Sequence, residues 1–401
     1  MDAIERLVEE KLGRGVHDLV PREDLVAKLR RSNEAGKPLR VKLGIDPSAP
    51  HLTFGHSVPL RKMRQFQDLG HTGVLVVGDF TRRIGDPSGR ASTRALMSEA
   101  EIERNMATYK DQAFKILDPA RTEVVYNSTW LGAMTFADVI QLTAKYTVAR
   151  MLERDDFAKR YAENRSISVL EFLYPLAQAY DSVAIRADVE LGGADQLFNL
   201  LVGRDIQREY GQEPQVALTV PLLVGLDGER AMSQSTGNYV GIGEPPKEMY
   251  GKLLSIPDAL IEPYFDVLTD VDVDSVKKEI HDSPRDAKRR LARTLVTKFH
   301  SAAAAAEAEA EFDRIHVRHE RPADVPQKAL DRSKLKADGT IWVIDLLEAS
   351  GLVKSRGEAK RVIEQGGARV NEERVESPDA DVPFSPPVLV QVGKRAFVEL
   401  V

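Results

Sequence analysis

A tyrosine, a glutamine and an aspartate stand at positions 174, 178 and 181 of the segment SVLEFLYPLAQAYDS (168–182). The spacing i, i+4, i+7 puts Tyr174, Gln178 and Asp181 on one face of a helix. Leu, Phe and Ala surround them, so the stripe reads as convergent polar groups lining a pocket. A partly exposed polar face fits the same spacing. Ser168 and Glu171 match a capping box, and Pro175 either marks the first turn or kinks the helix, because it lacks an N–H. Two other stretches carry reactive or anion-binding types. DPSAPHLTFGH (46–56) offers Gly55, which permits close backbone approach, and His56, at a helix N-terminus where free N–H groups favour anions. In GDFTRRIGDPSGRASTR (78–94), the turn Asp86-Pro87-Ser88-Gly89 lies among Arg82, Arg83, Arg90 and Arg94. Four arginines are more than a turn needs; they suit phosphates or an exposed polar face.

These residues need a frame. LRVKLGID (39–46) and GVLVVGD (73–79) are short apolar runs closed by turn residues, and they read as buried strands. Between them Leu60, Met63, Phe66 and Leu69 have helical spacing, and Gly70 is placed as a stop. Strand, helix, strand is a βαβ unit, so a parallel sheet is expected. The pattern recurs at ELGGADQ (190–196), the helix-like 195–211 and QVALTVPLLV (215–224). Residues 1–245 therefore read as one open α/β domain and 246–330 as a helical region. Residues 331–339 read as a polar linker, and 340–401 as a compact mixed α+β tail. In open α/β sheets ligands bind beyond the carboxyl ends of strands, where the 46–56 loop lies.

Composition narrows the chemistry. The chain has 401 residues and no cysteine, which excludes disulfides, cysteine-ligated zinc and iron–sulfur clusters. His316 and His319 have no cysteine beside them and read as exposed helix residues, so no metal site is expected. The net charge of −6 argues against a uniformly basic coat but leaves room for local patches. The N-terminus MDAIERLVEEKLGRGV is charged from its second residue, unlike a signal peptide, and no run is long enough to span a bilayer. No GxGxxG follows the first strand and no GxxxxGK[ST] occurs, so a nicotinamide oxidoreductase and a P-loop enzyme both lack their fingerprint.

In this order, LRKMRQFQDLGH, GDFTRRIGDPSGR, YPLAQAYDSVAIRADVELGGADQLFNLLVGR and VPLLVGLDG resemble bacterial tyrosyl-tRNA synthetases, class I aminoacyl-tRNA synthetases. The resemblance runs from VKLGIDPSAP to the C-terminus. It implies a Rossmann-like parallel-sheet domain, a helical tRNA-contacting domain and a small C-terminal RNA-binding domain. It also implies a cytoplasmic homodimer that joins L-tyrosine to ATP, with Mg²⁺ on the phosphates, and then passes tyrosine to tRNA(Tyr). By resemblance, Asp86, Tyr174 and Gln178 surround the substrate ammonium, and Asp181 accepts the phenolic proton. An acceptor left unpaired by phenylalanine rejects that analogue, a discrimination already known for this family. Gln196 is implied for the carboxylate, Gly193 and Asp195 for the ribose, and Gly44 and Asp46 for the pocket wall. Gly55 and His56 would pack near adenine and ribose, and Arg90 and Arg94 would meet pyrophosphate. LLEASGLVKSRGEAKRVIEQGGARVNEERV resembles a small domain shared with a ribosomal protein, in which Lys354, Arg356, Lys360 and Arg361 would meet RNA phosphates. Arg285, Lys288, Arg289, Arg290 and Arg293 form a second basic cluster, in the region implied to contact the anticodon arm.

Two signatures depart from the family pattern. The usual His-x-Gly-His is Thr53-Phe54-Gly55-His56, preceded by Ser48 in place of threonine. The usual Lys-Met-Ser-Lys-Ser is Ala231-Met232-Ser233-Gln234-Ser235. The altered groups would act mainly in the transition state, and loss of one such donor costs roughly 10²–10³ in rate. Two readings follow: a working tyrosine–tRNA ligase, slower or compensated by arginines such as Arg230, Arg90 and Arg94; or a relative that keeps the tyrosine pocket with weak or lost activation and serves as a tyrosine- or RNA-binding protein.

Overall fold

The apolar runs around Leu43 and Val76 form the centre of a six-stranded sheet in the computed structural model, which describes residues 2–47, 51–87, 99–318, 325–393 and 396–401. Its strands are β1 (Asp18–Val20), β2 (Arg40–Ile45), β3 (Thr72–Val77), β4 (Thr122–Tyr126), β5 (Val189–Gly193) and β6 (Val216–Val220), in the order β1-β6-β5-β2-β3-β4. β2 to β6 run parallel and β1 lies antiparallel on the edge of β6. Helices cover both faces, so β3 is buried from Gly73 to Val77, as an unbroken apolar run requires. The chain builds outward from β2 through β3 to β4, then returns to β5 on the other side of β2 and continues to β6. The strand order therefore reverses between β2 and β5, and a crevice opens at their carboxyl ends.

Three helices frame that crevice. α1 (Phe54–Asp68) joins β2 to β3 and buries Leu60, Met63 and Phe66; Gly70 then turns the chain at φ +93°. α2 (Val169–Ile185) precedes β5 and begins with the expected capping box: Ser168 N–H donates to Glu171 Oε1 at 2.9 Å, and Leu170 N–H to Ser168 Oγ. Arg160 grips the same Glu171 carboxylate at 2.5 and 2.9 Å. Pro175 lies inside α2, past its first turn. α3 (Leu197–Glu209) joins β5 to β6, and Leu176, Ala179 and Val183 of α2 pack against its Val202 and Ile206.

The helices Pro246–Leu254, Ile261–Leu268, Asp274–Asp282 and Pro284–Phe299 belong to the same compact unit as the sheet, Met1–Phe299. The second unit, His300–Val401, starts with the alanine-rich helix Ala302–Phe312. Its core gathers Ile341, Leu346, Leu347, Ala359, Ile363 and Val390 under a five-stranded sheet. That sheet borrows a strand from the segment before 331: Gln327–Lys328 pairs parallel with Ala396–Leu400. No helix among the described residues is long and apolar enough to cross a membrane.

Candidate active site

The crevice holds a cavity of ≈ 320 Å³. Gly44 and Asp46 at the end of β2, Gly193 at the end of β5, and Asp195 and Gln196 in the turn after it line it; so do Tyr174, Gln178 and Asp181 of α2. Thr53, Gly55 and His56 at the start of α1, Asp86, and Ala231 and Met232 complete the wall. The sheet thus brings together residues far apart in sequence, and the face 174/178/181 turns into the cavity rather than into solvent. Two glycines let side chains approach the backbone closely. A Cβ on Gly78 would fall 2.0 Å from Asp46 Oδ1, and one on Gly193 2.7 Å from Asp195 Oδ1.

Asp181 is 3% exposed. Trp130 Nε1 donates to its Oδ1 at 2.8 Å and Asn127 Nδ2 to its Oδ2 at 3.3 Å. Burial pushes its carboxyl up to about 7, held back from rising further by the charge of Lys42 and the Trp130 and Asn127 N–H groups. Neither Trp130 nor Asn127 carries a sequence signal; they reach Asp181 from the short helix Ser128–Leu131 and its N-cap, which follow β4. Tyr174 donates its O–H to Asp46 Oδ2 at 3.0 Å, and Thr81 donates to Asp46 Oδ1 at 2.9 Å. Burial, with the charge of Asp86 adding, raises Asp46 to about 6. Gln196 Nε2 donates to Asp86 Oδ2 at 2.8 Å, and Asn199 Nδ2 donates to both Gln178 Oε1 (3.0 Å) and Gln196 Oε1 (3.1 Å). The buried Arg154 backs this chain, donating to Asp86 Oδ1 at 3.4 Å and Asn199 Oδ1 at 3.4 Å. Four carboxylates and three amides around one cavity suit a ligand with a cation and hydroxyl groups.

The two altered signatures meet at the cavity mouth. Thr53 is 1% exposed, and its side chain does not stand free for a ligand. Its backbone N–H donates to His56 Nδ1 at 3.1 Å, and its Oγ1 lies 2.9 Å from the same nitrogen. Nδ1 therefore accepts, the ring proton sits on Nε2, and Thr53 fixes the tautomer. Burial lowers the His56 pKa to about 4, so the ring works as a neutral donor. The second signature lies alongside: Phe54 N–H donates to Val240 O, Met232 N–H to Leu223 O at 2.7 Å, and Gln234 Nε2 to His51 O. Ser233 N–H caps onto Asn238 Oδ1, Ser233 and Ser235 hydroxyls are 2.9 Å apart, and Ala231 bridges Val224. Arg230, 64% exposed, is tied to Asp227 at 3.0 Å. Against desolvation, the N–H groups of Glu229 and Arg230 and the side chains of Asn238 and Arg230 hold Asp227 at about 2. Ser48, Arg90, Arg94 and His319 lie outside the described residues.

In the second unit, Lys354, Lys360 and Arg361 are exposed on and before the helix Arg356–Glu364. Arg356 is drawn aside to Asp345 at 2.8 Å and over the ring of Trp342. In the first unit, Lys288 pairs with Asp258 and Arg290 with Glu279.

Comparison with known proteins agrees with this geometry. Residues 34–317 match the model of the class I tRNA synthetases for W and Y, and residues 341–385 match the S4 domain. The chain is 52% identical to the tyrosine–tRNA ligase of Moorella thermoacetica, covering 97% of this chain and 94% of that one. It is 51% identical to that of Thermotoga maritima, covering 97% and 96%. Its fold is shared with the tyrosyl-tRNA synthetase of Archaeoglobus fulgidus complexed with L-tyrosine (TM-score 0.62, 22% identity, 77% of this chain and 99% of that one). Its parallel sheet, its crevice at the β2/β5 reversal and its full-length similarity make the chain a member of the class I tRNA synthetases, with an S4 domain at its C-terminal end.

Proposed function

We propose that this protein is a tyrosine–tRNA ligase: it joins L-tyrosine to ATP, giving tyrosyl-adenylate and pyrophosphate, and then transfers tyrosine to tRNA(Tyr). The observation that carries the reading is Asp181, a deeply buried acceptor presented to a cavity of amino-acid size by two N–H donors. The phenolic O–H of tyrosine donates to it. Asp86, Tyr174 and Gln178 take the ammonium group, and Gln196 the carboxylate. The carboxylate attacks the α-phosphorus of ATP and pyrophosphate leaves. Neutral His56 donates through Nε2 to the developing charge. Gly193 and Asp195 hold the ribose hydroxyls. Gly44 and Asp46 wall the tyrosine end, and Gly55 lets adenine lie flat on the backbone. Met232, Ser233 and Ser235 cover the phosphates, with Gln234 and Ala231 in place of two lysines. Arg90 and Arg94 supply the cations that this loop lacks.

Magnesium arrives on the ATP phosphates and neutralises part of their charge. For tRNA, Lys354, Lys360 and Arg361 meet phosphates from the S4 domain, as does Arg356 once released from Asp345. The enzyme works as a cytoplasmic homodimer; Phe136, Ile140, Val148 and Val169 are more than half exposed, an apolar surface suited to a second copy. The test is charging: purified protein, ATP, magnesium and a bacterial tRNA pool should give acid-precipitable labelled tyrosine and no labelled phenylalanine. Charging with neither amino acid would contradict the reading.

A further inference from the structure

Strands β2 and β5 are covered on both faces, yet each has one charged residue that is fully buried, and the two are in register: Lys42 opposite Glu190. Lys42 is 0% exposed and Glu190 1%, and their ends meet at 2.9 Å. A buried ion pair gains little over an apolar pair of similar volume, so stability alone gives no reason for it. Its neighbours do. Lys42 Nζ also donates to the backbone oxygen of Gln178 and to Ser182 Oγ, both at 2.8 Å. Glu190 accepts from Gln178 Nε2 and Ser182 Oγ, each at 3.1 Å, and from Gln215 Nε2. With Lys42, four donors converge on one carboxylate that has nothing to donate.

The two ends of a glutamine amide are nearly equal in shape, and only their partners decide which way each faces. Glu190 can take only the donor end of Gln178. The other end, Oε1, accepts one bond from Asn199 and keeps a second lone pair, and Gln178 lines the cavity. We propose that the buried Lys42–Glu190 pair is a positioning device for substrate recognition: it locks the Gln178 amide so that the cavity receives a carbonyl oxygen, an acceptor for the ammonium group of the amino acid. The device rests on the reading of this cavity as the tyrosine site. Lys42 holds the Glu190 carboxylate in place; Glu190 sets the amide; neither touches substrate. A glutamine at 190 would bring a donor end of its own and let Gln178 turn its N–H toward the ammonium.

The experiment uses the full chain and two ligands, L-tyrosine and 3-(4-hydroxyphenyl)propanoate, which is tyrosine without its ammonium group. Both are titrated calorimetrically into the wild type and Glu190→Gln. The wild type should bind tyrosine more tightly than the analogue. Glu190→Gln should weaken tyrosine binding by about tenfold or more, the loss of one hydrogen bond to a charged group, and leave the analogue's affinity where it is. A purely structural role would weaken both ligands together; that result, or no loss for tyrosine, overturns the device. Should Glu190→Gln not fold with Lys42 partly unpaired, Lys42→Met/Glu190→Gln removes the charge as well, and the same selective loss is expected. A wild type that binds neither ligand would overturn the tyrosine reading and the device with it, an outcome distinct from equal loss.

Discussion

Asp181 at the floor of the cavity and Glu190 behind Gln178 are 3% and 1% exposed, and each is held by two or more donors. At its mouth, Ala231 and Arg230 are exposed, and Gln234 reaches only a backbone oxygen, that of His51. The floor residues are already held by hydrogen bonds within the chain. At the mouth, where the proposed function places the ATP phosphates, Ala231 and Gln234 are neutral, and Gln234 ties its loop to that of His51. The difference separates two jobs. Under the proposed function, binding tyrosine depends on the floor, and speeding the attack on phosphorus depends on the mouth, because charge there develops only in the transition state.

The largest effect should come from breaking the floor. Asp181→Asn replaces an acceptor-only group with one that can turn a donor toward the phenol, and the ratio of kcat/KM for tyrosine over phenylalanine should collapse. The full discrimination is about 10⁴–10⁵, a magnitude already known for tyrosyl-tRNA synthetases as a class. An unchanged ratio would remove Asp181 from phenol recognition. The same carboxylate sets a pH dependence. Its pKa is raised to about 7, so it is ionised and accepting above that pH and protonated below it. kcat/KM for tyrosine should therefore fall as pH drops through about 7. In Asp181→Asn that inflection should vanish, while one near 6 from Asp46 stays. His56, lowered to about 4, contributes to neither.

Sharpening the mouth should come next in size. Ala231→Lys and Gln234→Lys restore two cations at positions lining or flanking the cavity entrance. Each should raise the single-turnover rate of adenylate formation by up to roughly 10²–10³ and leave the Kd of tyrosine unchanged. The combined gain should be less than the product, because both act on one site. No gain would mean that Thr53, committed to His56, sets the limit.

Much of the frame was legible in the sequence because β2, β3, β5 and β6 carry apolar runs, whereas β1 and β4, only partly buried, gave no such run; Gly44, Asp46 and Gly193 stand at strand ends and Tyr174, Gln178 and Asp181 on one helical face. β2, β3, α1 and the 174/178/181 stripe are of that kind. What it hid had no local signal. Trp130 and Asn127 reach Asp181 only through the sheet. Lys42 and Glu190 did carry a signal, since a charge inside a doubly covered strand needs a partner, but strand register alone makes them a pair. The role of Thr53 was hidden too: as a replacement in a family signature it reads as a lost contact, whereas its hydroxyl and N–H orient the neighbouring His56. Pro175 could start or bend α2; the capping box of Ser168 and Glu171 sets the start earlier and leaves the proline inside.

The most direct measurement is tyrosine-dependent exchange of labelled pyrophosphate into ATP, with magnesium and without tRNA. Exchange that requires tyrosine and is not supported by phenylalanine is the predicted result: activation survives the neutral signature loops. No exchange from a protein that still binds tyrosine by calorimetry would contradict the account, leaving a recognition site without its chemistry.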